Sequence, residues 1–302
     1  MNGYYMWVEC ILKGSRGEIE KEGISYMRSG KRGFTLIELL VVISIIALLL
    51  AILMPALARI RKQAQQAVCM SNLKQWGSIF LMYTNDNNGS FHPGYDVYPP
   101  PPATPNILQR GYWVCWLYSY YKGNPELLLC PSAKRPGPSP IWGHDGGIYY
   151  SWNWAWAVDG VDRTFHGSYG DNTWVANPGA PNPYIGDGAN NWRTILNKNP
   201  ANIPVLYDSM WLDGWPRDVD LAPAYSGEYI TGIGVDNMKL LCINRHNKMI
   251  NMLFMDFHVR SVGLKELWKF KWHRTFDTNK GPKEGLAYPA GWPDWMRSYK
   301  RY

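Results

Sequence analysis

No two cysteines in this sequence are spaced Cys-x-x-Cys, which removes the usual ligand pattern of a zinc ribbon. There is no His-Glu-x-x-His motif, no glycine-rich phosphate loop, and no serine or cysteine in a nucleophile-elbow context. These absences argue against a zinc protease, a P-loop nucleotide enzyme and an α/β-hydrolase, so no enzymatic activity is expected. Charge is scarce as well: Asp, Glu, Lys and Arg make up 18% of the 302 residues, against about 25% in average usage. The net charge of +7 is spread along the chain and forms no basic stripe. No nucleic-acid partner is therefore expected, and no cofactor.

Aromatic residues and turn formers are plentiful instead, with 16 Trp, 20 Tyr, 22 Pro and 29 Gly. With so little charge, this composition points to a loop-rich extracytoplasmic domain rather than a compact cytosolic enzyme. Cys10 lies near the N-terminus, and Cys69, Cys115, Cys130 and Cys242 lie beyond residue 33. An exported domain can hold disulfides, and the sequence leaves the pairing of these four open.

Residues 39–58 carry no formal charge. They are nearly all Leu, Ile, Val, Ala and Met, broken by Ser44 and Pro55 and followed by Arg59-Ile60-Arg61-Lys62. About 20 such residues span a ~30 Å hydrocarbon layer as a helix. Glu38 stands at the edge of this run. A carboxylate deep in a bilayer costs roughly 2.5–3.5 kcal/mol and needs a partner. A cut after Gly33 would supply one, because the new α-amine of Phe34 is four residues from Glu38 and shares its helix face. The carboxylate could pair with that amine in its own chain or in a neighbour's.

The segment Gly33-Phe34-Thr35-Leu36-Ile37-Glu38, with the apolar run behind it, resembles the cleavage and methylation signal of type IV pilins and type II secretion pseudopilins. The resemblance implies that prepilin peptidase cuts after Gly33 and N-methylates Phe34. It also implies that Glu38 serves assembly with identical or related subunits through the N-terminal helix, and that Pro55 is a helix-kinking proline. Basic residues flank both ends of the span, so charge alone does not orient it. The resemblance implies a single-pass bacterial inner-membrane protein, with the leader in the cytoplasm and the C-terminal domain in the periplasm or on a filament. The purely basic segment 27–33 would be a leader by itself, so translation is expected to start at Met27.

The likeness extends further along the chain. Cys69-Met70-Ser71-Asn72-Leu73-Lys74-Gln75, Cys130-Pro131-Ser132, Tyr150-Ser151-Trp152-Asn153 and Arg245-His246 with Asp256-Phe257-His258-Val259 are similar to a branch of pilin-like proteins with a C-terminal His-x9-Asp-Gly signature. His246 and Asp256 keep the spacing as a structural motif. Phe257 stands where that branch has glycine, so a positive-φ turn is not expected there.

Four segments follow: a leader over 1–33, a membrane or filament-core helix over 34–58, its amphipathic continuation over 59–86, and a globular α+β domain over 87–302. Apolar residues from Ala64 to Tyr83 recur at three- and four-residue steps, and Asn85-Asp86-Asn87-Asn88-Gly89 stops the helix. Pro99-Pro100-Pro101-Pro102 reads as an extended linker. Strands are expected over 203–208, 249–255 and 258–262, the last two forming a hairpin through Asp256-Phe257. Residues 134–147 and 159–191 read as loops, and 265–274 as a short basic-aromatic helix. The fold class is α+β: a long N-terminal helix, its first half membrane-spanning, packed on an antiparallel sheet domain with long irregular loops.

Asp208, His246, Asp256 and His258 fall at the ends of predicted strands. Asp208, His246 and Asp256 are the candidate metal ligands, but carboxylates mixed with imidazoles suit calcium poorly, and a hydrogen-bonded brace of the hairpin is the expected role. Trp142, Trp152, Trp154, Trp156, Trp174 and Trp192 could stack on sugar rings or fill the core. The leading expectation is a structural prepilin-like subunit of a type II secretion pseudopilus or type IV pilus-like filament. The alternative is a membrane-anchored extracytoplasmic carbohydrate-binding module.

Overall fold

The computed structural model describes residues 34–94, 112–136, 146–158, 161–179, 188–228 and 236–300. Residues 1–33, where a leader ending at Gly33 is expected, the proline run 99–102 and Trp142 lie outside the described residues, as do the side chains of Trp154 and Trp156. The chain divides into two units at Leu53 and Met54.

Helix α1, Leu36–Asp86, is 51 residues long. Its start is fixed by Thr35, whose carbonyl accepts the N–H of Leu39 at 3.2 Å. In the first unit the apolar side chains of α1, from Leu36 through Leu53, are exposed. This is the one helix among the described residues long and apolar enough to cross a membrane.

In the second unit α1 becomes amphipathic. Cys69, Leu73, Trp76, Phe80 and Tyr83 recur at three- and four-residue steps and are buried. The Trp76 ring meets Trp113 edge-on at 4.8 Å, and its indole N–H donates to the Leu127 carbonyl at 2.8 Å. Asn88 and Gly89 both take left-handed backbone, and the Gly89 N–H closes the helix on the Thr84 carbonyl at 2.7 Å. Two short helices follow, α2 (Trp113–Trp116) and α3 (Tyr118–Tyr121).

The strands are β1 (Arg135–Pro136), β2 (Tyr150–Val158), β3 (Val161–Gly167), β4 (Tyr169–Asn172), β5 (Pro204–Asp208), β6 (Asp213–Gly214), β7 (Met249–Phe254) and β8 (Val259–Gly263). They form a three-stranded sheet, β1-β2-β3, and a five-stranded sheet, β6-β4-β5-β7-β8. The β1–β2 and β4–β6 pairs are parallel and the rest antiparallel. The α+β class expected from the sequence holds, with two short parallel pairings at the sheet edges.

Side chains alternate across β7 and so separate two cores. Leu253 joins the α1 residues in one core, whereas Ile250, Met252 and Phe254 join the C-terminal segment in the other. That segment packs Leu264, Leu267, Trp268, Trp272 and Phe276 on the sheet face opposite the helix. The larger sheet is therefore covered on both faces, by α1 and by the tail.

Three expectations are corrected. Residues 159–191 are not all loop, because β3 and β4 lie there, and β1 enters 134–147. These strands lack an apolar alternation; pairing with their neighbours defines them. The expected helix over 265–274 is a 3-10 segment, Leu264–Lys269, with no continuation. Lys265, Leu267 and Trp268 are all buried there, so packing against the sheet overrides the helical pattern. Finally, Phe257 does adopt positive φ, at 63°. The turn forms without glycine, at a cost of about 1–2 kcal/mol. It is braced from α1, where Lys74 Nζ donates to the Phe257 carbonyl at 3.0 Å. Gly77 lets helix and hairpin approach closely: a Cβ there would stand 3.1 Å from Leu253 Cδ1 and 3.5 Å from Phe257 Cβ.

Candidate functional site

Two places concentrate functional chemistry. The first is the start of α1. The Thr35 N–H and hydroxyl both donate to Glu38 Oε2 at 2.9 Å, and the Glu38 N–H donates back to Thr35 Oγ1 at 3.2 Å. This is a capping box, in which each side chain satisfies an otherwise orphaned N–H of the first turn. Phe34 is exposed directly before it.

The second place is a buried polar cluster inside the second unit. Cys69 comes from α1, Cys130 from the turn after the 3-10 segment Pro125–Leu128, Asp208 from the end of β5, and His246 from the loop before β7. One donor atom from each of the four lies within 4.8 Å of the other three. Cys130 Sγ is 3.3 Å from His246 Nε2. His246 Nε2 is 3.2 Å from Asp208 Oδ2. Cys69 Sγ is 3.5 and 3.7 Å from the two Asp208 oxygens.

A shell of donors and acceptors holds this cluster in place. Arg245 Nη1 donates to Asp208 Oδ1 at 3.2 Å. The same guanidinium group donates to the carbonyls of Ser168, Gly147, Ser209 and Ile148. The Asn251 N–H donates to Asp208 Oδ2 at 2.8 Å, and the Tyr169 hydroxyl donates to Cys69 Sγ at 3.3 Å. Burial alone would raise the Asp208 carboxyl, but His246 and Arg245 outweigh it and hold it at about 2. Burial opposes charge on His246, yet Asp208 beside it raises the imidazole to about 10. Burial, above all, keeps the Cys69 thiol well above its ordinary range.

Of the expected candidates, Asp208 and His246 meet and Asp256 does not join them. Asp256 is exposed at the far end of β7 from His246, and its carboxylate pairs with the His258 ring and accepts the His258 N–H. The His246–Asp256 spacing thus spans a strand rather than making a contact. Sequence reasoning misses Cys69 and Cys130 as members of the site. Both lie in segments whose family resemblance is noted above, the one signal that could have found them. Cys69, Cys115, Cys130 and Cys242 are all free thiols. Trp152 and Trp174 are buried; their indole N–H groups donate to the Tyr169 and Pro216 carbonyls.

Residues 28–54 match the prokaryotic N-terminal methylation motif. That motif runs into an apolar helix ahead of an α+β domain, and in this N-terminal region the chain is similar to type IV pilins. A 62-residue stretch is 50% identical to the type IV wide pilus major component PilA4 of Thermus thermophilus, covering 20% of this chain and 47% of that protein. The chain spans about half the length of this curated relative. No solved structure matches.

Proposed function

We propose that this chain is a structural subunit of a type IV pilus-like filament or a type II secretion pseudopilus, cut after Gly33 and N-methylated at Phe34 by prepilin peptidase. The observation that carries this reading is the methylation motif over residues 28–54, continuous with a capped apolar helix whose side chains are exposed. Twenty uncharged residues in that helix match the thickness of a bilayer core. Held in the inner membrane, with residues 87–302 on the periplasmic side, the subunit would exchange lipid for the helices of identical or related subunits during filament growth. Glu38 would then offset the α-amine charge of Phe34, in its own chain or in a neighbour's. The α+β domain forms the filament surface, and the role is assembly rather than catalysis.

Co-expression with prepilin peptidase tests the cleavage step. The wild-type chain should shorten by its leader, and Gly33→Leu should stay full length. Full processing of Gly33→Leu would remove the cleavage assignment.

A further inference from the structure

We propose that Cys69, Cys130, Asp208 and His246 form a structural zinc(II) site that fastens α1 to the larger sheet. The inference rests on the second unit alone and stands apart from the filament reading.

Donor chemistry comes first. Two cysteine sulfurs, one imidazole nitrogen and one carboxylate oxygen make a mixed S/N/O set of the kind zinc takes in tetrahedral sites. Hard cations such as calcium and magnesium want six or more oxygens, and thiolates select softer metals.

Geometry comes second. Around a tetrahedral ion with Zn–S of about 2.3 Å and Zn–N or Zn–O of about 2.0–2.2 Å, adjacent ligand atoms stand roughly 3.3–3.8 Å apart. The cluster shows 3.3 Å for Cys130 Sγ to His246 Nε2, 3.2 Å for His246 Nε2 to Asp208 Oδ2 and 3.7 Å for Cys69 Sγ to Asp208 Oδ2. Three of the six ligand pairs thus stand near coordination spacing, and all four donor atoms lie within 4.8 Å of one another.

Charge comes third. All four side chains are buried, and buried charges must be balanced. Two thiolates and a carboxylate carry three negative charges. A divalent ion and the Arg245 guanidinium carry three positive ones.

The surrounding hydrogen bonds fit an outer shell that orients ligands. Arg245 occupies Asp208 Oδ1, and the Asn251 N–H uses one lone pair of Oδ2, leaving the other for the metal. The Tyr169 hydroxyl supports the Cys69 sulfur. Zinc would displace the proton that Asp208 otherwise holds on His246, so that the imidazole ligates through Nε2 as the neutral ring. Because the four ligands come from α1, the Cys130 turn, β5 and the loop before β7, binding free energy becomes folding free energy for the whole second unit.

The test uses the full chain, purified in detergent without a metal-affinity tag and under reducing, chelator-free conditions, with zinc itself as the probe. Mass-spectrometric metal analysis should find about one zinc per chain, retained through gel filtration. The Cys69→Ser/Cys130→Ser double variant should lose at least roughly tenfold of that content. Cys242→Ala should keep it, since Cys242 lies in the other core against Met296. Loss of two ligands can also unfold the double variant, so the wild-type chain supplies a second readout. Cobalt(II) exchanged for zinc should give the visible absorption of a tetrahedral thiolate site, and Cys69 and Cys130 should resist alkylation until a chelator is added. A Cys69–Cys130 disulfide in chain whose thiols are alkylated at lysis, before any reductant is added, would overturn the proposal. So would free thiols in a chain that takes up neither zinc nor cobalt.

Discussion

Thr35 and Glu38 hold each other across the first turn of α1, with both Thr35 donors 2.9 Å from Glu38 Oε2. Both residues follow Gly33, so cleavage there would leave the capping box intact. Glu38 therefore has two separable jobs, capping the helix and carrying a charge. Glu38→Gln keeps an acceptor at the position that completes the box and removes the charge. Glu38→Gln should be processed normally and assemble as poorly as Glu38→Ala, read as sheared filament yield. Thr35→Ala, which costs about 1 kcal/mol of capping, should assemble far better than either. Wild-type yield from Glu38→Gln would show that the cap matters and the charge does not.

Gly77 sets how closely α1 approaches the β7–β8 hairpin. A Cβ there already meets Leu253 Cδ1 at 3.1 Å, and larger branches have nowhere to go in a packed core. Gly77→Val should destabilise the second unit by about 1–3 kcal/mol, seen as a lower thermal midpoint by tryptophan fluorescence in detergent. An unchanged midpoint would mean that the helix and hairpin are not held at this spacing.

His273 packs against Trp174 at 5.0 Å and Phe276 at 5.3 Å. Burial lowers its imidazole from 6.5 to about 4, while Asp218 opposes this and Lys271 and Lys280 add to it. The folded pKa lies below the unfolded one, so the unfolded chain binds more protons between these values. This contribution to stability is complete above about pH 6.5 and is lost as pH falls toward the folded value of about 4. His273→Phe keeps an aromatic ring and cannot titrate. Its thermal midpoint should fall less than that of wild type between pH 7 and pH 4, and parallel curves would contradict the assignment.

Much of this architecture is legible in the sequence because local physics dictates it. The apolar run and the three- and four-residue steps of Leu73, Trp76, Phe80 and Tyr83 announce α1. The apolar run Met249–Phe254, followed closely by the second short strand segment 258–262, announces the hairpin. The misses share one cause, which is that distant parts of the chain define them. Tyr169–Asn172 is polar and contains glycine, yet it is buried because it pairs with β5 and β6. Phe257 holds a left-handed turn that its own side chain disfavours, with Lys74 of α1 bonded to its carbonyl. The buried cluster is the extreme case. Cys69 lies 139 positions from Asp208, and Cys130 lies 116 from His246. No ligand-spacing motif can express such a site, and the regular His246–Asp256 spacing pointed to a pair that lies at opposite ends of β7.

The filament reading turns on one peptide bond, between Gly33 and Phe34. Intact-mass analysis with N-terminal sequencing of the protein from native membranes reads it directly. The predicted result is a chain that starts at N-methylated Phe34. A chain that starts at Met1 or Met27 and keeps its leader would contradict it.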